Sequence, residues 1–321
     1  MKIFSDLNAE AGTLLLLKRG VAPHEIVFPA KPAPSVLSQS APDPALADAD
    51  IAFGQPDAEA VLRASRLRWL HLSSAGYTRY DTAGFREAAA QRGLVVTNSS
   101  AVYAEPCAEQ VLAFMLAHAR RLPEALRPGA AGDSASWLQL RRSSTLLRGQ
   151  TVLLLGFGTI ARHLVELLRP FQVRILALRR SPRGDEGVAV LAREALPQAL
   201  AEADQVVNLL PAGPGSFRFM SAPQFARMKP GSVFHNIGRG ATVDQEALLA
   251  ALRSGRLGAA WLDVTEPEPL PPGHPLLSAP NCFITPHVAG GHKNEFERLV
   301  RHFLDNFRRF LAGAPLLDRV M

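Results

Sequence analysis

The sequence predicts an α/β protein built on two parallel sheets, and three observations carry that prediction. Short apolar segments alternate with stretches of helical periodicity in two separate series, one before residue 100 and one from Thr151 onward. A glycine-rich turn, Gly156-Phe157-Gly158-Thr159-Ile160-Ala161, follows the first strand of the second series directly and opens a helix. With 321 residues, 47% of them hydrophobic and 20% charged, the chain is long enough for two ordinary cores. Strands separated by helices need crossover connections, which makes their pairing parallel.

In the first series KIFS, EIVF, DIAF, RLRWLHL and GLVVTN read as strands, and helical periodicity fits 57 to 65 and 82 to 91. Residues 29 to 48, rich in Pro, Ala and Ser, read as a surface loop. The apolar-periodic stretch from 101 to 127 reads as one long helix joining two domains. Then TVLLL, RILAL, QVVNLL, SVFHNI, GAAWLDV and CFIT form a six-strand doubly wound pattern, with helices over 159 to 171, 221 to 228 and 244 to 254. The pattern stops after Pro286. A last amphipathic helix, 293 to 312, places Phe296, Leu299, Val300, Phe303, Leu304 and Phe310 on one face.

Composition excludes several classes. No apolar run approaches the roughly 20 residues that span a bilayer, and the opening MKIFSD reads as a strand without a signal pattern, so a cytoplasmic protein is expected. Cys107 and Cys282 have neither CxxC nor Cys/His ligand spacing, which predicts two small buried side chains and no metal site or disulfide. The net charge is +6 and the pI about 9.8, yet the arginines are spread along the chain. The densest clusters, Arg141-Arg142 and Arg179-Arg180, are pairs and not a basic arm, so an anionic small molecule is the expected partner and nucleic acid is not.

In the glycine-rich turn, Gly156 allows the tight turn, Gly158 lets the backbone approach a pyrophosphate, and Ala161 keeps the helix close to the strand. The helix N-terminus faces the phosphate charge. This is the context of a Rossmann dinucleotide site. About 20 residues further on, an acidic residue would accept from the ribose 2′-OH of NAD, but here RILAL is followed by Arg179-Arg180-Ser181. Arginine cannot accept, and two guanidinium groups suit a 2′-phosphate, so NADP (NADPH) is preferred and NAD stays open. The other reading of this pair is a solvated strand end.

Three further segments each place a reactive residue just past a strand: Arg239 in HNIGRGATVD, Glu268 in LDVTEPEPLP and His287 in ITPHVAGG. In an open α/β sheet those positions face the ligand crevice. Reducing a 2-oxo acid needs a cation to hold the carboxylate and polarise the carbonyl, and an acid to protonate the oxygen. Arg239 and His287 are those types, and Glu268 can orient the imidazole and favour its cation.

With these residues in view, the chain resembles the D-isomer-specific 2-hydroxyacid dehydrogenase family, which includes glyoxylate/hydroxypyruvate reductases. The resemblance runs through SSAGYTRYD, VYAEPCAEQVLAFMLAHARR, Trp137 ahead of LRGQTVLLLGFGTIA, NIGRGATVDQEALLAAL, LDVTEPEPLPPGHPLL and NCFITPHVAGG. It implies a Rossmann NAD(P)-binding domain, 101 to 287, inserted in a flavodoxin-like substrate domain, 1 to 100 and 288 to 321, with hinges near 98 to 101 and 286 to 290. It implies that Arg239 binds substrate, that His287 is the acid/base with Glu268 rather than Glu266 as partner, and that Asp263 holds the nicotinamide carboxamide. Ala75, Gly76 and Tyr77 would meet the substrate carboxylate together with Arg239 and His287. Cofactor contacts would come from Gly156, Phe157, Gly158, Thr159, Ile160, Arg179, Arg180, Ser181, Leu210, Pro211, Ile237, Gly238, Arg239, Asp263, His287 and Gly290. A homodimer joined through 101 to 150 is implied as well.

Tyr77-Thr78, the 211 to 219 loop and Gln110 depart from the family's usual residues, which bears on affinity and specificity. The expected activity is reversible reduction of a small 2-oxo acid of the glyoxylate or hydroxypyruvate type. The rival readings are a dinucleotide-sensing interaction protein on the same fold, and a formate- or phosphite-oxidising relative for which no motif is found.

Overall fold

The computed structural model describes residues 1–31, 35, 38–132 and 134–321. Within the loop expected over 29 to 48, residues 32–34 and 36–37 therefore lie outside the described residues. The chain forms two compact units, Met1–Tyr103 with Gly291–Met321, and Ala104–Gly290. The sequence reading divides the chain at 100/101 and 287/288.

The first unit begins with β1 (Lys2–Ser5), α1 (Ala11–Val21), β2 (Glu25–Val27), β3 (Ile51–Gly54), α2 (Ala58–Arg63), β4 (Trp69–Leu72), α3 (Ala83–Arg92) and β5 (Val95–Thr97). Its sheet is parallel in the order β2-β1-β3-β4-β5, the flavodoxin-like arrangement. β3 and β4 are buried along their whole length, as strands covered on both faces must be. Asp57 and Thr82 start α2 and α3 by accepting from Ala60 N–H and Phe85 N–H.

The second unit takes in most of α4 (Ser100–Ala119), then α5 (Leu122–Ala125) and α6 (Ser134–Ser143). The single helix expected over 101 to 127 is thus broken. Arg121 turns left-handed at φ 54°, and Pro123 at the start of α5 has no N–H with which to continue the helix above it. β6 (Thr151–Leu155), α7 (Thr159–Leu168), β7 (Arg174–Leu178), β8 (Ala189–Leu191), α8 (Leu196–Glu202), β9 (Gln205–Asn208), α9 (Ala222–Arg227), β10 (Val233–Asn236), α10 (Gln245–Arg253), β11 (Ala259–Leu262) and β12 (Cys282–Ile284) complete it. The parallel sheet runs β12-β11-β10-β9-β6-β7-β8. It has seven strands, not the expected six. β8 is a three-residue edge strand that buries no residue fully, so its apolar run is short and sits beside a polar loop. The order reverses between β6 and β9, which is where a doubly wound sheet opens its crevice. Phe114 of α4 stacks on Trp261 at 4.9 Å, and Trp261 on Phe283 at 4.2 Å, fixing that helix over β11 and β12.

The last helix, α11 (Glu295–Leu311), returns to the first unit. Phe303 stacks on Phe53 at 4.4 Å and on Trp69 at 5.3 Å. Phe307 is buried beside them, a position outside the expected face, while Phe296 and Phe310 stay partly exposed. α1 crosses closely: a Cβ on Gly20 would collide with the Leu304 side chain. Among the described residues no helix is long and apolar enough to cross a membrane.

Candidate active site

The turn after β6 is shaped by two glycines with different reasons for being glycine. Gly156 has φ 95°, and a Cβ there would sit 3.3 Å from the Leu209 carbonyl oxygen, so chain geometry itself asks for glycine. Gly158 opens α7 without a side-chain cap, no acidic residue lies in the first turn, and a Cβ on it would meet nothing within 4 Å. Packing within the chain therefore does not explain Gly158, and the open helix N-terminus beside it is of the kind that receives a phosphate. Ala161 is fully buried against the sheet.

Past β7, the arginine pair is divided. Arg179 donates to the buried carboxylate of Glu186 at 3.0 Å, and Glu186 also accepts from Arg183 N–H and Gly184 N–H at 2.7 and 2.9 Å. Those two amides and Arg179 hold the Glu186 carboxyl below its ordinary range. Arg180 and Ser181 are exposed beside this clasped loop. Arg162 closes it from α7 through Asp185 at 2.9 Å.

Past β10, Arg239 stands between two glycines that have no freedom to change. A Cβ on Gly238 would lie 2.7 Å from the Leu210 oxygen, and one on Gly240 would collide with the Thr265 carbonyl. The Arg239 carbonyl accepts from Thr242 Oγ1 at 2.6 Å and Asn236 Nδ2 at 3.2 Å, and Asn208 ties both of those side chains together. Sequence reasoning missed Asn208, Asn236 and Thr242. The trace of the two asparagines in the sequence is that each ends a buried strand, QVVN and VFHN. Burial pushes the Arg239 guanidinium down from its usual value, with Cys107 and the Glu268 carboxylate opposing; it remains a cation at neutral pH. Burial also pushes the thiol of Cys107 up to about 12, and that of Cys282, which is only half-buried, equally far.

Past β12, His287 adopts φ 53°, a conformation that costs a side-chain-bearing residue about 1–2 kcal/mol. Asp263, past β11, holds it there. The His287 N–H donates to the Asp263 main-chain oxygen at 2.9 Å, and the Asp263 carboxylate accepts from Thr285 Oγ1, Val288 N–H and Ala289 N–H at 2.6, 2.9 and 3.0 Å. Asp263 is buried. Both of its carboxylate oxygens are thus engaged by the loop that carries His287, a task the sequence reading did not foresee for it.

The His287 ring reaches Glu268 through Nδ1, 2.6 Å from Oε1. An ionised carboxylate can only accept, so Nδ1 carries the proton and Nε2 is left for chemistry. Glu266 lies apart, its backbone bonded on both sides by Gln245. The structure therefore gathers Arg239, Glu268 and His287 at the carboxyl ends of β10, β11 and β12, with Leu210, Pro211 and Ile237 past β9 and β10 and Gly290 at the end of the unit.

In the first unit, Ala75, Gly76 and Tyr77 follow β4. All five carbonyls from 73 to 77 are taken: Ser73 by Tyr103 Oη, Ser74 by Ser99 N–H, Ala75 by Asn98 Nδ2, Gly76 by Ser74 Oγ and Tyr77 by Tyr80 N–H. The amides of residues 74–77 have no acceptor among the described residues. A run of engaged carbonyls beside unpaired N–H groups is the arrangement that suits an anion.

A family model described as D-isomer specific 2-hydroxyacid dehydrogenase, NAD binding domain, matches residues 112–289. The chain belongs to that family. It is 40% identical over 201 residues to a glyoxylate reductase/hydroxypyruvate reductase of Mus musculus, covering 62% of this chain and 61% of that protein. It is 32% identical over 276 residues to glyoxylate/hydroxypyruvate reductase B of Pectobacterium atrosepticum, covering 84% and 85%. Among solved structures, an NADPH-dependent glyoxylate/hydroxypyruvate reductase from Sinorhizobium meliloti, in complex with NADP and malonate, superposes with a TM-score of 0.74 at 27% identity, covering 99% of this chain and 96% of that one. The family's NAD-binding domain thus coincides with the unit that carries the glycine-rich turn and Arg239, Glu268 and His287.

Proposed function

We propose that this 2-hydroxyacid dehydrogenase reduces a small 2-oxo acid, of the glyoxylate or hydroxypyruvate type, reversibly to the D-2-hydroxy acid with NADPH as preferred donor. The observation that carries the reading is the His287–Glu268 pair at 2.6 Å, with Glu268 acting also on the buried charge of Arg239. One carboxylate thereby orients an acid and steadies a substrate-binding cation. The turn 156–161, the α7 N-terminus and the residues past β9 and β10 fit a dinucleotide: the space a Cβ on Gly158 would enter is open, where a phosphate would press closest. When bound, the reduced nicotinamide supplies the hydride.

The residues do the rest. Arg239 binds the substrate carboxylate and draws electron density from the carbonyl. Ala75, Gly76 and Tyr77 offer amides suited to a carboxylate. His287, as imidazolium, gives its Nε2 proton to the carbonyl oxygen as C2 gains hydride, and Glu268 stabilises the charged ring beforehand. Run backwards, neutral His287 takes the hydroxyl proton.

For cofactor choice, Arg180 is exposed next to a loop fixed by Glu186, which suits a 2′-phosphate. For assembly, Leu122, Leu126, Trp137, Leu138 and Leu146 expose apolar surface within 101 to 150, which supports a homodimer through that region. Two unpaired thiols fit the reducing cytoplasm.

The test is loss of reduced-nicotinamide absorbance with glyoxylate, hydroxypyruvate, pyruvate and phenylpyruvate, each with NADPH and NADH. Rapid NADPH oxidation with glyoxylate or hydroxypyruvate is expected. Dinucleotide binding without turnover on any acid would overturn the reading in favour of a sensing protein.

A further inference from the structure

The segment 74–77 is bonded by a side chain that lies just past another strand. Gln55 follows β3, is 3% exposed, and has its main chain fixed on both sides. Its N–H donates to Asp6 Oδ1 at 2.9 Å, and its carbonyl accepts from Ser40 N–H and Oγ at 3.0 and 3.3 Å. Ser40 Oγ in turn bonds Asp6 Oδ2 at 2.6 Å. Asp6 is itself locked against Gly54, where a Cβ would collide with its carboxylate. The Gln55 side chain therefore leaves a rigid base.

Its amide orientation is also determined. Arg79 Nη1, which can only donate, lies 3.2 Å from Oε1, so Nε2 points at Ser74 Oγ, 2.7 Å away, with Ser73 Oγ at 3.4 Å. Ser74 Oγ, accepting from Gln55, turns its own proton to the Gly76 carbonyl at 2.5 Å. That last bond engages the Gly76 carbonyl within the loop. A one-way relay results: Arg79 to Gln55, Gln55 to Ser74, Ser74 to Gly76.

We infer that Gln55 is a positioning residue for substrate: through Ser74 it presents the amides of Ala75, Gly76 and Tyr77 to the carboxylate of the 2-oxo acid. The inference rests on the reductase reading and adds a residue to it. Because the amides hold the carboxylate equally in ground and transition states, losing the relay should raise KM and spare kcat.

The experiment is steady-state kinetics on the full chain for Gln55→Leu, Gln55→Glu, Ser74→Ala and Gln55→Leu/Ser74→Ala, with NADPH affinity measured by fluorescence. Gln55→Glu is nearly isosteric but can only accept, which draws the Ser74 proton away from Gly76. Each single change should raise KM for the best 2-oxo acid about 10-fold with kcat within about twofold, the size of one lost hydrogen bond to a charged-ligand site. NADPH affinity should not move. The double variant should be no worse than either single, since all break the same relay. Unchanged KM, additive losses, or equal losses in kcat and NADPH affinity would overturn the role while leaving the reductase reading intact. If the wild-type protein reduces no 2-oxo acid, that reading falls, and calorimetry with oxamate, a non-reducible analogue, still decides on the loop amides. Weaker oxamate binding by Gln55→Leu supports it; no binding even by wild type overturns it.

Discussion

At the carboxyl ends of their parallel strands the two units present groups of opposite kinds, and in the proposed reaction both kinds serve an anion. In the first unit the side chains there are bonded to one another, and backbone N–H groups of 74–77 have no acceptor among the described residues. In the second, backbone and buried asparagines hold three titratable side chains, Arg239, Glu268 and His287. A backbone cradle binds without changing charge, whereas the side-chain set can bind and also move a proton. Chemistry should therefore fail only when the second unit is altered, and binding when either is.

The sharpest break of that comparison is His287→Ala. It should lower kcat about 1,000-fold with NADPH affinity kept, as expected for loss of a general acid; a kcat within tenfold of wild type, measured under saturating substrate, would move the proton donor elsewhere. Arg239→Ala should cost about 100-fold in kcat/KM and weaken oxamate binding, since it removes a charge-assisted contact present in both ground and transition states. Wild-type oxamate affinity in that variant would remove Arg239 from carboxylate binding.

A smaller effect separates the arginine pair. Arg180→Ala should raise KM for NADPH about 10-fold and leave NADH nearly unchanged, whereas Arg179→Ala, by releasing Glu186 and the 183–186 loop, should weaken both. Equal losses from the two variants would remove the 2′-phosphate assignment.

The smallest effect concerns the buried histidines, one in each unit. Burial, with His118 adding to it, pulls His235 from its ordinary value down to about 3, and burial beside His302 pulls His71 down as well. A histidine depressed in the folded state contributes its stability above the unfolded value, near 6.5, and loses it as pH falls toward the folded value. Each should therefore reduce stability by at most about 1.4 kcal/mol per pH unit below about 6.5. Thermal melts of His235→Gln between about pH 4 and pH 8 should show a flatter acid limb than wild type. Parallel limbs would contradict the shift.

Much of this was legible in the chain because strand, turn and helix signals agreed locally. Gly156, Gly158 and Ala161 stand in a strand–turn–helix context, and the three reactive residues each follow an apolar run that folds as a buried or half-buried strand. α1 was not read because Leu14 to Leu17 form an unbroken apolar run without helical spacing, and its role appears only where Gly20 meets Leu304. β8 and α8 are too short to show a period. The supports of the site were hidden for another reason. Gln55, Asp263 and Glu186 act through hydrogen bonds whose direction depends on geometry, and a lone glutamine or glutamate in a sequence carries no sign of what it will hold.

The glycines around Arg239 have a consequence for how such a protein can change. Backbone at 238 and 240 admits nothing larger than hydrogen, while the residue between them, proposed to meet the substrate, is held by its own carbonyl and by its Nη1 donating to the Gly238 carbonyl at 2.7 Å. Shape and reactivity are thus written on alternate residues of one tripeptide. A lineage could exchange the central side chain, and with it the reaction, while the flanking pair kept the scaffold intact.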